Sequence, residues 1–179
     1  MGIITIDWFD ENKPEDHGTC SVFVIANGQI GSWVNVFAYK NREEFLQTCE
    51  KHFKTKRENL AFDEWTGIPE QFKSTSEISD KLWELRELSN EQCTAFEIWL
   101  NRFGYDVASR NIPELLEKFN REYSGRWKSK AEFAENCFNE TCTVPGNLTI
   151  YIDYSHFADD LFRCDYWYDD EYGYVFKIL

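Results

Sequence analysis

The apolar pattern of this 179-residue chain changes period twice, and this change limits the folds that the chain can adopt. Residues 21–26 and 32–37 are short runs rich in aromatic and β-branched side chains, separated by the turn-forming residues 27–31. This arrangement predicts an antiparallel hairpin. Residues 60–65 have the same character and end at the Thr-Gly-Ile-Pro sequence of residues 66–69, so we expect a third strand there.

A helical pattern follows the hairpin and returns later in the chain. Asn41 can cap a helix whose apolar side chains recur every four residues as far as Phe53. The period becomes helical again from about Ser74. From there the apolar positions predict two antiparallel helices that are joined at residues 89–90, and Gly104 is well placed to end the second.

The last stretch of the chain mixes helix and strand. A proline in the first turn and a glycine at the end predict a helix over residues 113–125, and residues 129–132 have the spacing of a capping box before a second helix. Residues 148–152 have the composition of a strand, and Asp153 follows as the cap of a further helix. We expect residues 172–178 to form a terminal strand that pairs with the strand at 148–152.

These patterns predict an α+β protein, built as an elongated chain of three small lobes. Residues 1–69 form an N-terminal lobe with a three-stranded sheet and one helix, residues 70–104 a helical lobe, and residues 105–179 a mixed α+β lobe. Seven Trp, nine Tyr and fifteen Phe supply the large rings that small cores need in order to bury enough surface.

The charge of the chain is negative along its whole length. There are 32 acidic and 19 basic residues, a net charge of −13, to which residues 1–65, 66–104 and 105–179 contribute −4, −3 and −6. Such a surface repels duplex nucleic acid and anionic membranes, so neither is expected as a partner. The charge either keeps the protein soluble or attracts a basic DNA-binding groove, because duplex DNA carries about one negative charge per 1.7 Å of axis.

The residue types that carry catalysis or bind metals form no complete set in this sequence. Cys49 and His52 have a C-x-x-H spacing without a second pair, so zinc is not expected. Three histidines with no evident nucleophile beside them disfavour a Cys-His or Ser-His enzyme. We predict no catalytic residue, no metal and no cofactor. Neighbouring carboxylates such as Asp159 and Asp160 leave a small hydrolase that uses paired carboxylates as one alternative.

The six cysteines are scattered without paired spacing, which is typical of free thiols in a reducing compartment. No apolar run approaches the roughly 18–20 residues of a membrane span. The N-terminal sequence is too short and too acidic for a signal peptide. We therefore expect a cytoplasmic protein.

Seven segments, taken in order along the chain, form a recognisable set of motifs. They are EEFL at 43–46, FDEWTGIP at 62–69, YSGRW at 123–127, EFAE at 132–135, YIDYSHFADDL at 151–161, DY at 165–166 and GYVF at 173–176. Together they resemble the ArdA antirestriction family: the first two resemble its N-terminal lobe, the central pair its Y-x-G motif and acidic helix, and the last three its C-terminal signature. The order of the segments makes the likeness specific.

The resemblance implies a protein that mimics bent B-form DNA and occupies the DNA-binding groove of type I restriction-modification enzymes, formed by the methyltransferase core and the specificity subunit. Members of the family consist of three small lobes in a curved rod and dimerise through the C-terminal lobe. They need no cofactor and perform no reaction. They let incoming plasmids or transposons escape restriction, so the resemblance implies a homodimer in the cytoplasm of a bacterial host cell.

On this interpretation the carboxylates act together as a partner-binding surface. The acids expected on it are Asp63, Glu64, Glu70, Glu77, Asp80, Glu84, Glu87, Glu91, Glu114, Glu117, Glu122, Glu132, Glu135, Asp159, Asp160, Asp165, Asp169, Asp170 and Glu171. The principal alternative is an acidic adaptor that binds another basic DNA-binding protein, such as a nucleoid protein or a regulator. The hydrolase with paired carboxylates is the third alternative.

Overall fold

The computed structural model of the protein describes residues 9–10, 20–28, 30–146 and 149–178. Within these residues the chain forms five α-helices, several 3₁₀ helices and two antiparallel sheets, which confirms the predicted α+β class. The chain divides into two compact units, a first unit of residues 1–113 and a second unit of residues 114–179. The first unit takes in both the N-terminal and the helical lobe of the prediction, and the arrangement of three lobes stays a prediction.

The sheet of the first unit confirms the predicted hairpin and third strand. Its strands within the described residues are β1 (Phe9–Asp10), β2 (Ser21–Ala26), β3 (Ile30–Asn35) and β4 (Leu60–Thr66). They lie in the order β1-β3-β2-β4, with antiparallel neighbours. The two-residue strand β1 was not predicted, because so short a segment shows no period. Asn27 and Gly28 form the hairpin turn with φ of 53° and 70°, a left-handed conformation that these two residue types tolerate best.

Helix α1 (Arg42–Phe53) packs on this sheet through its apolar face. As predicted, Asn41 caps the helix: its side-chain oxygen accepts a hydrogen bond from the backbone N–H of Glu44 at 2.9 Å. Phe45 is fully buried, and its ring centre lies 6.2 Å from that of Phe62 in β4. Burial of one such side chain stabilises the fold by about 1.5–3 kcal/mol.

Residues 78–88 form a 3₁₀ helix, Asp80–Leu85, and a turn, whereas an α-helix was predicted. Leu82 and Leu85 are fully buried, as the apolar pattern requires. Their spacing of three residues matches the 3.0-residue turn of a 3₁₀ helix as well as it matches an α-helix. The pattern therefore located the buried face correctly and gave the wrong type of helix.

Helix α2 (Asn90–Phe103) agrees with the prediction at both ends. It begins at a capping box, in which Ser89 Oγ accepts a hydrogen bond from Gln92 N, and Gln92 Oε1 accepts one from Ser89 N. It ends at Gly104, whose φ of 68° is the left-handed conformation common at helix ends. Trp99 is fully buried on its inner face.

The second unit combines helices with a three-stranded sheet. Its elements are α3 (Ile112–Glu122, which starts in the last residues of the first unit), β5 (Tyr123–Arg126), α4 (Lys130–Thr141), α5 (Tyr154–Cys164), β6 (Tyr166–Tyr168) and β7 (Tyr174–Lys177). The strands lie in the order β5-β7-β6 and are antiparallel. Helix α4 packs against α5, and Phe119, Phe133 and Phe176 are buried in the core of the unit.

Three predictions for the second unit are wrong. Helix α3 ends at Glu122, and Gly125 lies within β5 at a φ of 89°. Thr149–Tyr151 is a 3₁₀ helix where a strand was expected over 148–152; residue 148 lies outside the described residues. Strand β7 pairs with β5 and β6. Its pairing with β6 closes a short loop, which costs little entropy, whereas its pairing with β5 joins two segments that are distant in sequence.

The predicted helix caps of the second unit are formed, one of them in altered form. Asp153 Oδ1 accepts a hydrogen bond from His156 N at 3.0 Å at the start of α5. Ser129 Oγ accepts one from Glu132 N at 3.1 Å at the start of α4. The carboxylate of Glu132, however, accepts from Lys128 N at 2.7 Å, so the second bond of the predicted capping box falls one residue earlier.

Candidate partner-binding surface

Every exposed charged side chain between residues 58 and 91 is negative, and we call this stretch the acidic segment. Its three basic residues, Lys73, Lys81 and Arg86, are half-buried. The exposed acids of the segment are Glu58, Asp63, Glu64, Glu70, Glu77, Asp80, Glu84, Glu87 and Glu91. All but Glu58 were predicted. Glu58 was missed because it directly follows a basic run, although its carboxylate starts the acidic segment.

The fold presents these acids from three kinds of element. Asp63 and Glu64 lie on β4, which is an edge strand of its sheet, and charge there also blocks pairing with another strand. Asp80 and Glu84 lie on the 3₁₀ helix of residues 80–85. Glu91 lies in the first turn of α2, where the helix dipole favours negative charge. Edge strand, 3₁₀ helix and helix start therefore all place carboxylates in solvent.

The basic side chains of the acidic segment bind groups inside the first unit. The Lys81 ammonium donates to three backbone carbonyls, those of Val107, Ala108 and Arg110. Arg86 donates to the backbone carbonyl of Tyr39. Lys73 binds the carboxylate of Glu70 at 2.6 Å. Two of the three cations thus donate to carbonyl oxygens. The positive groups of Lys81 and Arg86 are therefore not used to neutralise the neighbouring carboxylates.

The exposed bases of the first unit lie outside the acidic segment: four precede it around α1, and Arg102 and Arg110 follow it. Lys40, Lys51, Lys54 and Lys56 are exposed in and around α1. Arg57 closes this basic stretch with a bidentate pair to the Glu43 carboxylate, at 2.9 and 3.0 Å, and a longer contact to Glu50 at 3.4 Å. The hydrogen bonds from Arg57 lower the pKa of Glu43 to about 2. The exposed bases around α1, among which Glu43 and Glu44 are also exposed, are thus followed by a stretch that exposes only acids, with the change at residues 57–58.

The second unit has shorter stretches of one sign, the longest being the five exposed acids between Lys130 and Arg163. The predicted acids that are exposed there are Glu114, Glu117, Glu135, Asp159, Asp160, Asp165, Asp170 and Glu171. Exposed bases occur among them along the chain, namely Arg121, Arg126, Lys128, Lys130, Arg163 and Lys177. Two further predicted acids, Glu132 and Asp169, are half-buried and accept hydrogen bonds from backbone N–H groups. The surface of this unit is mixed in sign.

Glu122 was predicted to belong to the acidic surface, and the structure corrects this. The residue is 3% exposed at the end of α3, and its carboxylate lies 3.7 Å from the ammonium of Lys118. A buried, paired carboxylate contributes to packing and charge balance inside the unit. The sequence pattern did not reveal the burial of Glu122. Charged residues are usually exposed, and the exceptions depend on a charged partner that the pattern does not identify.

Two open cavities of about 370 Å³ each lie in the second unit, and Lys128, Tyr168 and Asp170 line both of them. Lys130 also lines one cavity, and its ammonium lies 5.7 Å from the centre of the Tyr168 ring. Asp159 lies on the wall of the same cavity. Cations and carboxylates therefore face the same open space in similar numbers.

This arrangement bears on the hydrolase alternative, which needs two carboxyl groups in different environments. A carboxyl that acts as general acid usually sits in an apolar pocket that favours its protonated form. Asp159 and Asp170 are both exposed and share their cavity with Lys128 and Lys130. The lining of this cavity is therefore mixed in charge and does not form an apolar pocket around either carboxyl group.

Three further features of the described residues concern metal binding, the Cys49 thiol and membrane spans. No group of three or more His, Cys, Asp or Glu side chains in the described part of the chain is placed to hold a metal ion. Burial raises the pKa of the Cys49 thiol to about 12, so the thiol is protonated near neutral pH and is a poor nucleophile there. No helix in the described ranges is both long and apolar enough to cross a membrane.

Fold and surface together define an acidic α+β protein whose distinctive feature is a stretch of exposed carboxylates. The family model described as antirestriction protein (ArdA) matches residues 26–176, most of the chain. The chain belongs to the ArdA antirestriction family, a family of inhibitor proteins, as the sequence motifs indicated. No curated protein matches it.

Proposed function

We propose that this protein inhibits type I restriction-modification enzymes by mimicking B-form DNA and occupying their DNA-binding groove. The observation that carries the proposal is the acidic segment, in which every exposed charge is negative and the cations are half-buried. Membership of the antirestriction family supports it. The partner is the methyltransferase core with its specificity subunit, which together hold the DNA.

Electrostatics supplies the physical basis of the competition. A groove that binds DNA neutralises phosphates with Lys and Arg and releases counterions, so the affinity falls steeply as salt rises. A protein surface that presents only carboxylates makes the same kind of contact with the same cations. Its affinity therefore has a similar salt dependence, with a slope of about 0.9 per neutralised charge if the charge density approaches that of B-DNA.

The proposal includes a homodimer, formed through the second unit. Within the described residues the large apolar side chains that remain exposed are Tyr151, Tyr172 and Ile178, and all three lie in this unit. Tyr151 is 78% exposed, far more than a ring of this size needs for its hydroxyl to reach water. Apolar surface left in solvent favours association, and light scattering at several concentrations measures the resulting mass.

Competition for DNA tests the proposed function directly. A type I methyltransferase is bound to a fluorescent duplex that carries its recognition site, and the protein is titrated in at several salt concentrations. In low salt we expect the fluorescence anisotropy of the duplex to fall when the protein reaches a stoichiometric ratio. The competition should weaken steeply as the salt concentration rises. Absence of competition at low salt contradicts the proposal.

A second arm separates mimicry of DNA from general attraction to basic proteins. The same titration is run with an unrelated basic DNA-binding protein of the nucleoid. We expect the restriction enzyme to lose its DNA at much lower concentrations of inhibitor. Stronger competition with the nucleoid protein supports the acidic adaptor instead.

A further inference from the structure

The part of the acidic segment around residues 78–88 is fastened to the first unit by cations that bind backbone carbonyls. Arg42 Nε donates to the carbonyl of Ile78 at 2.6 Å, where the stretch begins. Arg86 donates to the carbonyl of Tyr39 near its end. Lys81 lies near the middle of the stretch and donates to backbone carbonyls of residues 107–110. Three positive side chains thus fix a stretch of chain that presents only negative charge to solvent.

Lys81 is the most completely bonded of these cations. Its ammonium lies 2.6 Å from the carbonyl oxygen of Val107, 2.8 Å from that of Ala108 and 3.1 Å from that of Arg110. A lysine ammonium has three donors, so every one of them has an acceptor here. Arg86, in contrast, keeps a buried Nε without an acceptor. Lys81 is therefore the residue whose loss breaks the most contacts.

The loop that receives Lys81 is itself ordered by other bonds. Val107 is buried, and its N–H donates to Gln71 Oε1 at 3.2 Å. Asp106 Oδ1 accepts from Ala108 N at 2.9 Å. These bonds use N–H groups of the loop, and three of its carbonyls accept hydrogen bonds from Lys81. Without the ammonium, those carbonyls and the 3₁₀ helix lose their shared partner.

We infer that Lys81 is a positioning residue for the acidic surface: it holds the carboxylates of Asp80 and Glu84 in place while its own charge is turned toward the loop at residues 107–110. The inference rests on the proposed function as far as binding is concerned. According to this inference, the protein needs the Lys81 cation in order to act as a polyanion.

If charge alone determined binding, replacing Lys81 would have the opposite effect, and the inference can therefore be tested. Lys81→Met removes one positive charge from a protein with a net charge of −13 and should strengthen binding to a basic groove if only charge matters. Lys73→Met removes the same charge from the same segment. Lys73 is also half-buried, but it binds the carboxylate of Glu70 and no carbonyl. It is therefore a matched control.

The experiment compares the two variants with the wild type in the competition for DNA against a type I methyltransferase. We expect Lys81→Met to bind about tenfold more weakly, because bonds from a charged donor are lost. Lys73→Met should bind equally well or up to about fivefold more tightly. This range corresponds to roughly 0–1 kcal/mol, the contribution of one ion pair at a protein surface. Lys81→Arg, which keeps a donor at the site, should recover part of the loss.

Hydrogen exchange of the free protein provides a readout that does not depend on the partner. Amides at residues 79–88 and 105–111 should exchange faster in Lys81→Met and at the wild-type rate in Lys73→Met. Circular dichroism confirms that both variants are folded at the temperature used. Unchanged exchange in Lys81→Met overturns the positioning role.

The outcomes separate this inference from the proposed function. A wild-type protein that fails to displace DNA overturns the proposed function, and the part of Lys81 in binding falls with it. A wild type that displaces DNA, together with a Lys81→Met variant that does so as well or better, overturns only the inference about Lys81.

Discussion

The two units carry nearly the same net charge and arrange it differently. Residues 1–113 sum to −7 and residues 114–179 to −6. In the first unit the exposed bases around α1 come before an acidic segment that exposes no base. In the second, four exposed bases at residues 121–130 lie between two groups of exposed acids, and bases and acids both line its cavities. The difference teaches that the position of the bases, more than the net charge, decides whether a surface resembles a polyanion.

The largest expected effect comes from the core beneath the acidic segment. Leu82 is fully buried, so Leu82→Ala should lower the free energy of unfolding by about 2–5 kcal/mol. Leu161 of the second unit is half-buried, and Leu161→Ala should cost clearly less. Urea unfolding followed by circular dichroism measures both. Equal losses would contradict the burial described for these two side chains.

Block neutralisation compares the two surfaces directly. The first block changes Glu77, Asp80, Glu84 and Glu87 to their amides, and the second does the same to Glu114, Glu117, Glu135 and Asp165. Both blocks remove four negative charges. Competition for DNA on a type I methyltransferase should weaken about 10- to 100-fold for the first block, if each contact is worth several tenths of a kcal/mol. The second block should weaken it much less.

The salt dependence of the two blocks supplies the control. Loss of real contacts with the groove lowers the slope of log affinity against log salt by up to about 0.9 per contact. A slope that changes equally in both variants indicates that the enzyme responds to net charge alone. In that case the contrast between the units has no bearing on binding.

A single change on the same surface should be nearly silent. Asp63→Asn leaves the other exposed acids of the segment in place, and one exposed ion pair is worth roughly 0–1 kcal/mol. We expect the affinity for the methyltransferase to fall less than about fivefold. Abolished binding by a folded Asp63→Asn protein would instead reveal a localised hot spot.

The smallest effect concerns pH and the pair that ends the basic stretch. Arg57 lowers the pKa of Glu43 to about 2, so this pair contributes stability above the ordinary pKa of a glutamate, and the contribution is lost as the pH falls toward 2. Glu43→Gln should therefore be slightly less stable than the wild type at pH 6 and equally stable near pH 2. Thermal unfolding at several pH values checks this. A difference that grows on acidification contradicts the assignment.

Sequence reasoning predicted those features that depend on local pattern. The hairpin of β2 and β3, the cap at Asn41 and the end of α2 at Gly104 follow from residue types at fixed spacings. The 3₁₀ helix at 80–85 and the pairing of β7 did not, because apolar spacing identifies neither the type of a helix nor the partner of a strand, and β7 pairs both with the neighbouring β6 and with the distant β5.

For the candidate surface, too, sequence reasoning predicted what depends on local pattern and missed what depends on packing. Asp63 on strand β4 and Glu91 on α2 could be predicted as exposed, because one face of each element must be polar. The burial of Glu122 could not, because it depends on how α3 packs within the second unit. Nor could the contacts of Lys81, since three carbonyls of a loop become a binding site for an ammonium only once the chain has folded.

The carbonyl-bound cations of the first unit carry a consequence for how such a protein can diverge. Carboxylates that act collectively can be exchanged or moved by a residue while the summed field stays similar. Lys81 and Arg42 have fixed acceptors and no such freedom. Across related chains we therefore expect the acidic positions to drift and these basic ones to persist, so that the most constrained charges of an acidic inhibitor are positive.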